Sequence, residues 1–386
     1  MKAGLTIVAL WLAGLGAAAQ FGKISVAYPS LGAAYAGYEG VWLGLMVSVV
    51  GMVGLIFGTT AGLLVARIGP RRAILAALVL GAAVSLVQSV FPPYPVMMLT
   101  RVLEGVSHLA IVVVGPTAIA ATAPPARQGA AMTLWSSFFG LTYAVLFWLG
   151  PKLIEAAGAG ALFQAHALWM LGCAALLATL MPTDRRATAQ PGQGGLLAQH
   201  VAIYASPFTA APAMGFVCYT VTYVAVLTLL PGLASPGWGG FIGVAMPLVS
   251  IAVSLTLGVW LLGRMPAVRL VQAGFALAVL GALGLWLAWG QGAAEAGFAL
   301  VVAAALGIVQ GASFASIPQL NPRPEDRAGA AGAIAQLGNL GTTTGTPLLA
   351  FLVEQAGASG LALFVLGFSG LGIAIHALQA RRRASA

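Results

Sequence analysis

Charge is what this sequence has least of. Only 6% of its 386 residues are charged, against 60% that are hydrophobic, where an ordinary soluble domain carries about 25% charged residues. No water-facing surface can be assembled from so few charges, so lipid must be the main solvent. Cysteine is nearly absent. Cys173 and Cys218 both lie in apolar runs, which argues against a disulfide framework and offers no metal-ligand spacing. Missing too are a nucleotide loop, an H-E-x-x-H helix and a nucleophile elbow. These absences speak against an enzyme and against an ATP-driven pump, and no cofactor or metal is expected. The formal net charge of +9 does not mark a nucleic-acid binder, because the basic residues sit mostly in short loops between apolar runs.

What the chain does have is apolar runs of membrane-spanning length. They fall near 5–28, 41–66, 73–91, 96–122, 129–150 and 161–181, then near 207–232, 239–262, 267–290, 295–319, 328–353 and 359–379. The expected architecture is all-α, with an N-terminal six-helix bundle over 1–181, a connecting loop over 182–206 and a C-terminal six-helix bundle over 207–386. The connector opens PTDRRATAQPGQGG, and such Pro, Gly and Gln content reads as a loop with room for a short surface helix. The first twenty residues also read as a cleavable signal peptide. Against that, the apolar run continues to Tyr28, and the internal repeat needs this helix.

Charge placement sets the topology. Lys2, Arg67, Arg71, Arg72, Arg127, Arg185, Arg186, Arg264, Arg269, Arg323, Arg327 and Arg381 to Arg383 fall on one face, while only Lys152 falls on the other. Basic loops favour the cytoplasm, so twelve spans with both termini cytoplasmic are expected. The expected setting is a bacterial inner membrane.

The halves repeat at an offset of about 200 residues. Arg127-Gln-Gly-Ala-Ala answers Arg327-Ala-Gly-Ala-Ala, Gly105 answers Gly307, Pro116 answers Pro318, and Pro29-Ser-Leu answers Pro231-Gly-Leu. The second span carries Gly54, Gly58 and Gly62 at a spacing of four, and the eighth carries Ser250, Ser254 and Gly258. Small residues at that spacing let helix backbones approach closely.

Two motifs carry a family resemblance. The loop Gly62-Leu-Leu-Val-Ala66-Arg67-Ile-Gly69-Pro-Arg71-Arg72 resembles the signature loop of the major facilitator superfamily, with Ala66 in place of its usual acid. Arg101-Val-Leu-Glu104-Gly105 is similar to that superfamily's Arg-x-x-x-Gly motif. RVLEGVSHLAIVVVGP and GAIAQLGNLG look like its cyanate-permease-type branch. The resemblance implies two six-helix bundles, alternating access, a working monomer and a cavity lined by spans one, four, seven and ten. It also implies a conformational role for the loop residues Gly62, Arg67, Gly69, Arg71 and Arg72, weakened by the missing acid.

Ionisable groups inside spans are costly and hence functional candidates. Lys23 lies in the first span, and Arg101, Glu104 and His108 share one face of the fourth at spacings of three and four. Such a face cannot point at lipid. Arg101 with Glu104 reads either as a permanent brace or as a proton-titrating pair. His108 reads as a satisfied interior imidazole, a proton site or a substrate contact. With Glu104 ionised and His108 neutral, the four sum to one excess positive charge, which favours a small anion as substrate, with a co-transported proton or ion. Tyr219, Thr222, Tyr223, Gln310, Ser313, Gln336 and Asn339 offer neutral hydrogen bonds in the second half. The expected function is therefore proton-coupled secondary transport of a small anionic solute. A drug or metabolite efflux antiporter is the alternative, with copper import and a non-transporting receptor behind it.

Overall fold

The computed structural model describes residues 2–124, 131, 134–135, 137–184 and 196–385. Arg127, Arg185 and Arg186 lie outside the described residues, as do the side chains at Gly62, Ala66 and Arg67. Sequence punctuation sets the helix ends. Proline, which lacks an N–H and has a fixed φ, starts α5 (Pro70–Gln88) and stands second in α6 (Tyr94–Thr122). Gly158, at φ +80°, separates α7 (Phe138–Ala157) from α8 (Ala159–Leu180).

The remaining helices are α1 (Lys2–Val26), α2 (Tyr28–Ala34), α3 (Val41–Ser48), α4 (Val50–Ile68), α9 (Leu196–Ala205), α10 (Ala210–Leu233), α11 (Gly239–Leu262), α12 (Ala267–Leu287), α13 (Ala293–Leu320) and α14 (Pro324–Ala384). Residues Ser254–Gly258 of α11 form a π-helical turn. Among the described residues nine helices are long and apolar enough to cross a membrane, or ten if the bent pair in the second expected run is one span. The last of the nine contains two helices joined at Gly357, whose φ of 52° and ψ of −129° interrupt it. The fifth expected run, 129–150, begins outside the described residues and ends within α7.

One expected span is not continuous. The run over 41–66 breaks after Ser48, and α3 meets α4 at 54°. No proline stands at the break. The cause lies in the fourth run, as shown below.

The chain divides into two compact units, Met1–Glu39 with Met46–Gln190, and Gly40–Leu45 with Pro191–Ala386. Inside the first, α1 packs on α6, α7 and α8, α5 packs on α6 and α8, and α4 packs on α6. Inside the second, α12 packs on α13 and α14, α11 on α13, and α10 on α14 and α13. The pairing of α4 with α6 thus recurs as α11 with α13. Gly105 lies against the Val50 carbonyl, and Gly307 lies against the Ser250 backbone. The repeat in sequence is therefore a repeat in packing.

Candidate functional site

Helices α1, α5, α6 and α8 of the first unit converge on a buried ionic network. Lys23, Arg101 and Glu104 are each 0% exposed. Glu104 sits between the two cations: its Oε1 lies 2.5 Å from Lys23 Nζ, and its Oε2 pairs with the Arg101 guanidinium. Gln88 donates to the same Oε2 at 2.9 Å and to Thr100 Oγ1 at 3.1 Å. The i, i+3 spacing of Arg101 and Glu104 on α6 makes their pairing local, while Lys23 arrives from α1.

The surroundings of Lys23 fix its protonation. Three acceptors surround Nζ: Ser85 Oγ at 2.7 Å, Glu104 Oε1 at 2.5 Å and His166 Nδ1 at 3.2 Å. An ammonium has three N–H donors and no acceptor, so the count matches the charged form. His166 is fixed from its other side. Its Nε2 lies 3.0 Å from the Gly16 carbonyl, which can only accept, so Nε2 carries the hydrogen. Nδ1 then presents its lone pair to Lys23, and Ser85 Oγ, 2.9 Å from Nδ1, donates to the Phe163 carbonyl at 3.1 Å. The imidazole is neutral and locked in one tautomer.

Arg101 reaches further. Its Nε donates to the Met46 carbonyl at 2.7 Å, and Nη2 donates to the Val47 carbonyl at 3.3 Å. Cations at a helix C-terminus meet unsatisfied carbonyls and the negative end of the dipole. The guanidinium thus terminates α3, which explains the break in the second run.

His108 stands apart from this network. Its Nδ1 meets the Ala17 carbonyl at 3.0 Å, and its ring meets the edge of Phe21 at 5.1 Å. Nδ1 therefore carries the hydrogen and Nε2 is the acceptor. The structure brings together Lys23, Arg101 and Glu104, and it places His108 one turn along α6. It adds Ser85, Gln88 and His166, which sequence reasoning did not select. His166 was open to the same rule as the other four, being an ionisable residue inside an apolar run. Ser85 and Gln88 gave no comparable signal.

The neutral candidates of the second unit are more dispersed. Tyr219 and Tyr223 stack at 5.1 Å and are buried. Thr222 and Ser313 donate to carbonyls of their own helices. Gln336 accepts from Tyr204 Oη at 2.9 Å, and Asn339 donates back to Ala335 O at 2.8 Å. Gln310 is half-buried.

The signature loop is held by a residue outside its motif. Gly69, at φ 98°, joins α4 to α5. The Asp184 carboxylate, from the segment after α8, accepts from Arg71 N–H and Arg72 N–H, each at 2.9 Å. It caps the N-terminus of α5, where the dipole favours an anion. Arg71 Nη2 also donates to Ala178 O at 2.7 Å. Where Ala66 leaves the motif without its acid, Asp184 supplies a carboxylate from elsewhere.

A family model described as Major Facilitator Superfamily matches residues 10–337. Among solved structures, a bacterial homologue of the human lysosomal transporter Spinster, crystallised in an inward-facing and unoccupied conformation, matches with a TM-score of 0.73 at 13% identity. The match covers 98% of this chain and 97% of that one. A search of curated proteins returns no match. The family match over most of the chain, on a near all-helical fold with repeated halves, shows that this chain belongs to the Major Facilitator Superfamily of multi-pass membrane transporters.

Proposed function

We propose that the protein is a secondary active transporter that carries a small anionic solute across a bacterial inner membrane by alternating access, together with protons. Twelve spans, cytoplasmic termini and a monomeric working unit belong to the same reading, as does a place near the cyanate-permease-like branch. The basic loops support the orientation.

One observation carries the proposal. The Lys23, Arg101 and Glu104 cluster has two cations for one carboxylate, is fully buried, and is not repeated at the equivalent positions of the second half. At an offset of 202 residues those positions hold Ala225, Ala303 and Leu306. Uncompensated charge in the membrane interior is costly unless it does something. An excess cation repels a cationic solute and holds an anion. Glu104 is the proton-carrying group in this reading, because protonation would dismantle both ion pairs at once. His108 is a second proton site, with Nε2 as its acceptor.

Gln88 fits the same role. Its amide nitrogen faces Glu104, while its Oε1 is buried with no hydrogen-bond partner among the described residues. An amide turned over would accept from a protonated carboxyl.

The test is uptake into proteoliposomes under an inward-directed proton gradient. Anion accumulation is expected for the wild type. Lys23→Ala should abolish anion binding while the protein is still produced. Glu104→Gln should keep counterflow exchange yet lose proton-driven accumulation. Accumulation at wild-type level by Glu104→Gln would make Glu104 structural, and unchanged anion affinity in Lys23→Ala would end the anion reading.

A further inference from the structure

The network around Glu104 has the form of a receptor for a carboxylate, and Glu104 is its present occupant. One oxygen receives the Lys23 ammonium; the other receives an Arg101 N–H and the Gln88 amide. Every donor needed for a planar, two-oxygen anion is already assembled and aimed. We infer that the transported anion is a monocarboxylate which takes over the donors of the Glu104 carboxylate, with one proton travelling on Glu104. The inference rests on the proton-coupled anion reading above and adds the substrate class and the stoichiometry.

Charge and hydrogen-bond donors must both be counted. In the structure Lys23 and Arg101 are positive and Glu104 is negative, which leaves one positive charge. A proton added to Glu104 alone would leave two unpaired cations in a buried site. An anion added alone would set two carboxylates against one set of donors. A proton and a monovalent anion together restore the original single charge and the original hydrogen bonds. Removing one partner from a buried ion pair leaves an uncompensated charge and is strongly destabilising, whereas exchanging partners keeps the charge paired, so the two ligands are bound together.

The surroundings bear on valence. Lys23 comes from α1, Ser85 and Gln88 from α5, Arg101 and His108 from α6, and His166 from α8. Tyr143 of α7 lies 3.3 Å from Ser25 Oγ on α1, and the Met46 and Val47 carbonyls come from α3. Apart from Lys23, Arg101 and Glu104, these groups are neutral as hydrogen-bonded, and the donors that face Glu104 are the set one carboxylate uses, with none spare for a second. The balance of the step is simple. A hydronium ion gives its proton to a Glu104 oxygen and leaves as water, the Lys23 and Arg101 hydrogen bonds to Glu104 break, and the same N–H groups bond to the incoming carboxylate.

The experiment vacates the site and refills it. Purified Glu104→Ala is titrated with acetate and formate at constant ionic strength, and thermal unfolding is recorded. Saturable stabilisation is expected, at concentrations at least tenfold lower than in Glu104→Ala with Lys23→Ala. Succinate, sulfate and chloride should not match it, and nitrate tests whether an inorganic planar anion suffices. Glu104→Gln, closer in shape, serves if the alanine variant does not fold. On the wild type, calorimetry in buffers of different ionisation enthalpy should show one proton taken up per acetate bound. No stabilisation by acetate or formate, equal stabilisation by succinate, preference for nitrate over both carboxylates, or a proton count of zero or two overturns the inference. The two proposals fail separately. Acetate rescue without any gradient-driven uptake would remove the transport reading and leave the site. Proton-driven uptake of a divalent anion without rescue would do the reverse.

Discussion

Arg101 Nε donates to the carbonyl oxygen of Met46 at 2.7 Å, at the point where the second span bends by 54°. In an unbroken helix that oxygen would accept from Val50, and its neighbour on Val47 would accept from Gly51. The guanidinium competes for both while it also holds Glu104. One side chain therefore links the ionic network to the shape of a neighbouring span, and a change in the partner of Arg101 changes what holds the break.

Arg101→Lys tests that link. Lysine keeps the charge but presents a point donor in place of a planar fork, so it cannot serve Glu104 and both carbonyls together. Transport should fall more than tenfold and the unfolding temperature should drop, with the protein still inserted. Breaking a buried pair costs about 3–5 kcal/mol, and retention of the charge should hold the loss below that. Wild-type transport in Arg101→Lys would show that the fork is dispensable.

His166 offers a second test, because it acts through Lys23. The ring donates to Gly16 O and accepts from Lys23, and a glutamine can do both. His166→Phe should raise the KM for the anion about tenfold, equivalent to about 1.4 kcal/mol, with a smaller effect on kcat. His166→Gln should restore most of the affinity. A packing role would predict the opposite order, since phenylalanine fills the space better.

Much of this was legible in the sequence, and the omissions have physical causes. The spacing of Arg101, Glu104 and His108 announced a buried polar face, because three ionisable groups on one helix side cannot meet lipid. Lys23 was legible for the same reason. The separation of His108 from the ion pairs was not legible, since helical periodicity gives a face and not a partner. His166 required only that the same rule be applied to every span. The break after Ser48 has no local signal, because it is made by a guanidinium from 54 to 55 residues away. Asp184 likewise caps a helix more than a hundred residues distant.

That cap gives a third prediction. Asp184→Ala removes the acceptor of two N–H groups at the start of α5, a loss of about 1–2 kcal/mol. Gly69→Ala should cost more. Its φ of 98° is unfavourable for a residue with a Cβ, and that Cβ would run into the Asp184 carboxyl group. In the double variant the collision with the carboxyl group is gone, while the contact with the Cβ of residue 184 and the backbone strain remain. The measured cost of Gly69→Ala should therefore be smaller when Asp184 is already alanine. Strict additivity in thermal unfolding would mean that the two residues are not in contact.

The last prediction concerns the repeat. Gly105 and Gly307 occupy equivalent positions in the two halves, and each lies against the backbone of the helix that packs across it. A methyl group at either site would meet Val50 O or the Ser250 backbone, neither of which can turn aside as a flexible side chain can. Overpacking of that kind costs about 1–3 kcal/mol. Gly58 is grouped by spacing with the close-packing glycines, yet among the described residues a Cβ there would meet nothing within 4 Å. Gly58→Ala should therefore be neutral or slightly stabilising, since alanine favours the helix by about 1 kcal/mol over glycine. Unfolding of the three purified variants in detergent, followed by fluorescence, separates the cases. If all three lose stability alike, glycine at these sites serves flexibility; if only Gly105→Ala and Gly307→Ala lose it, the halves share one close helix crossing, made twice by the same residue type.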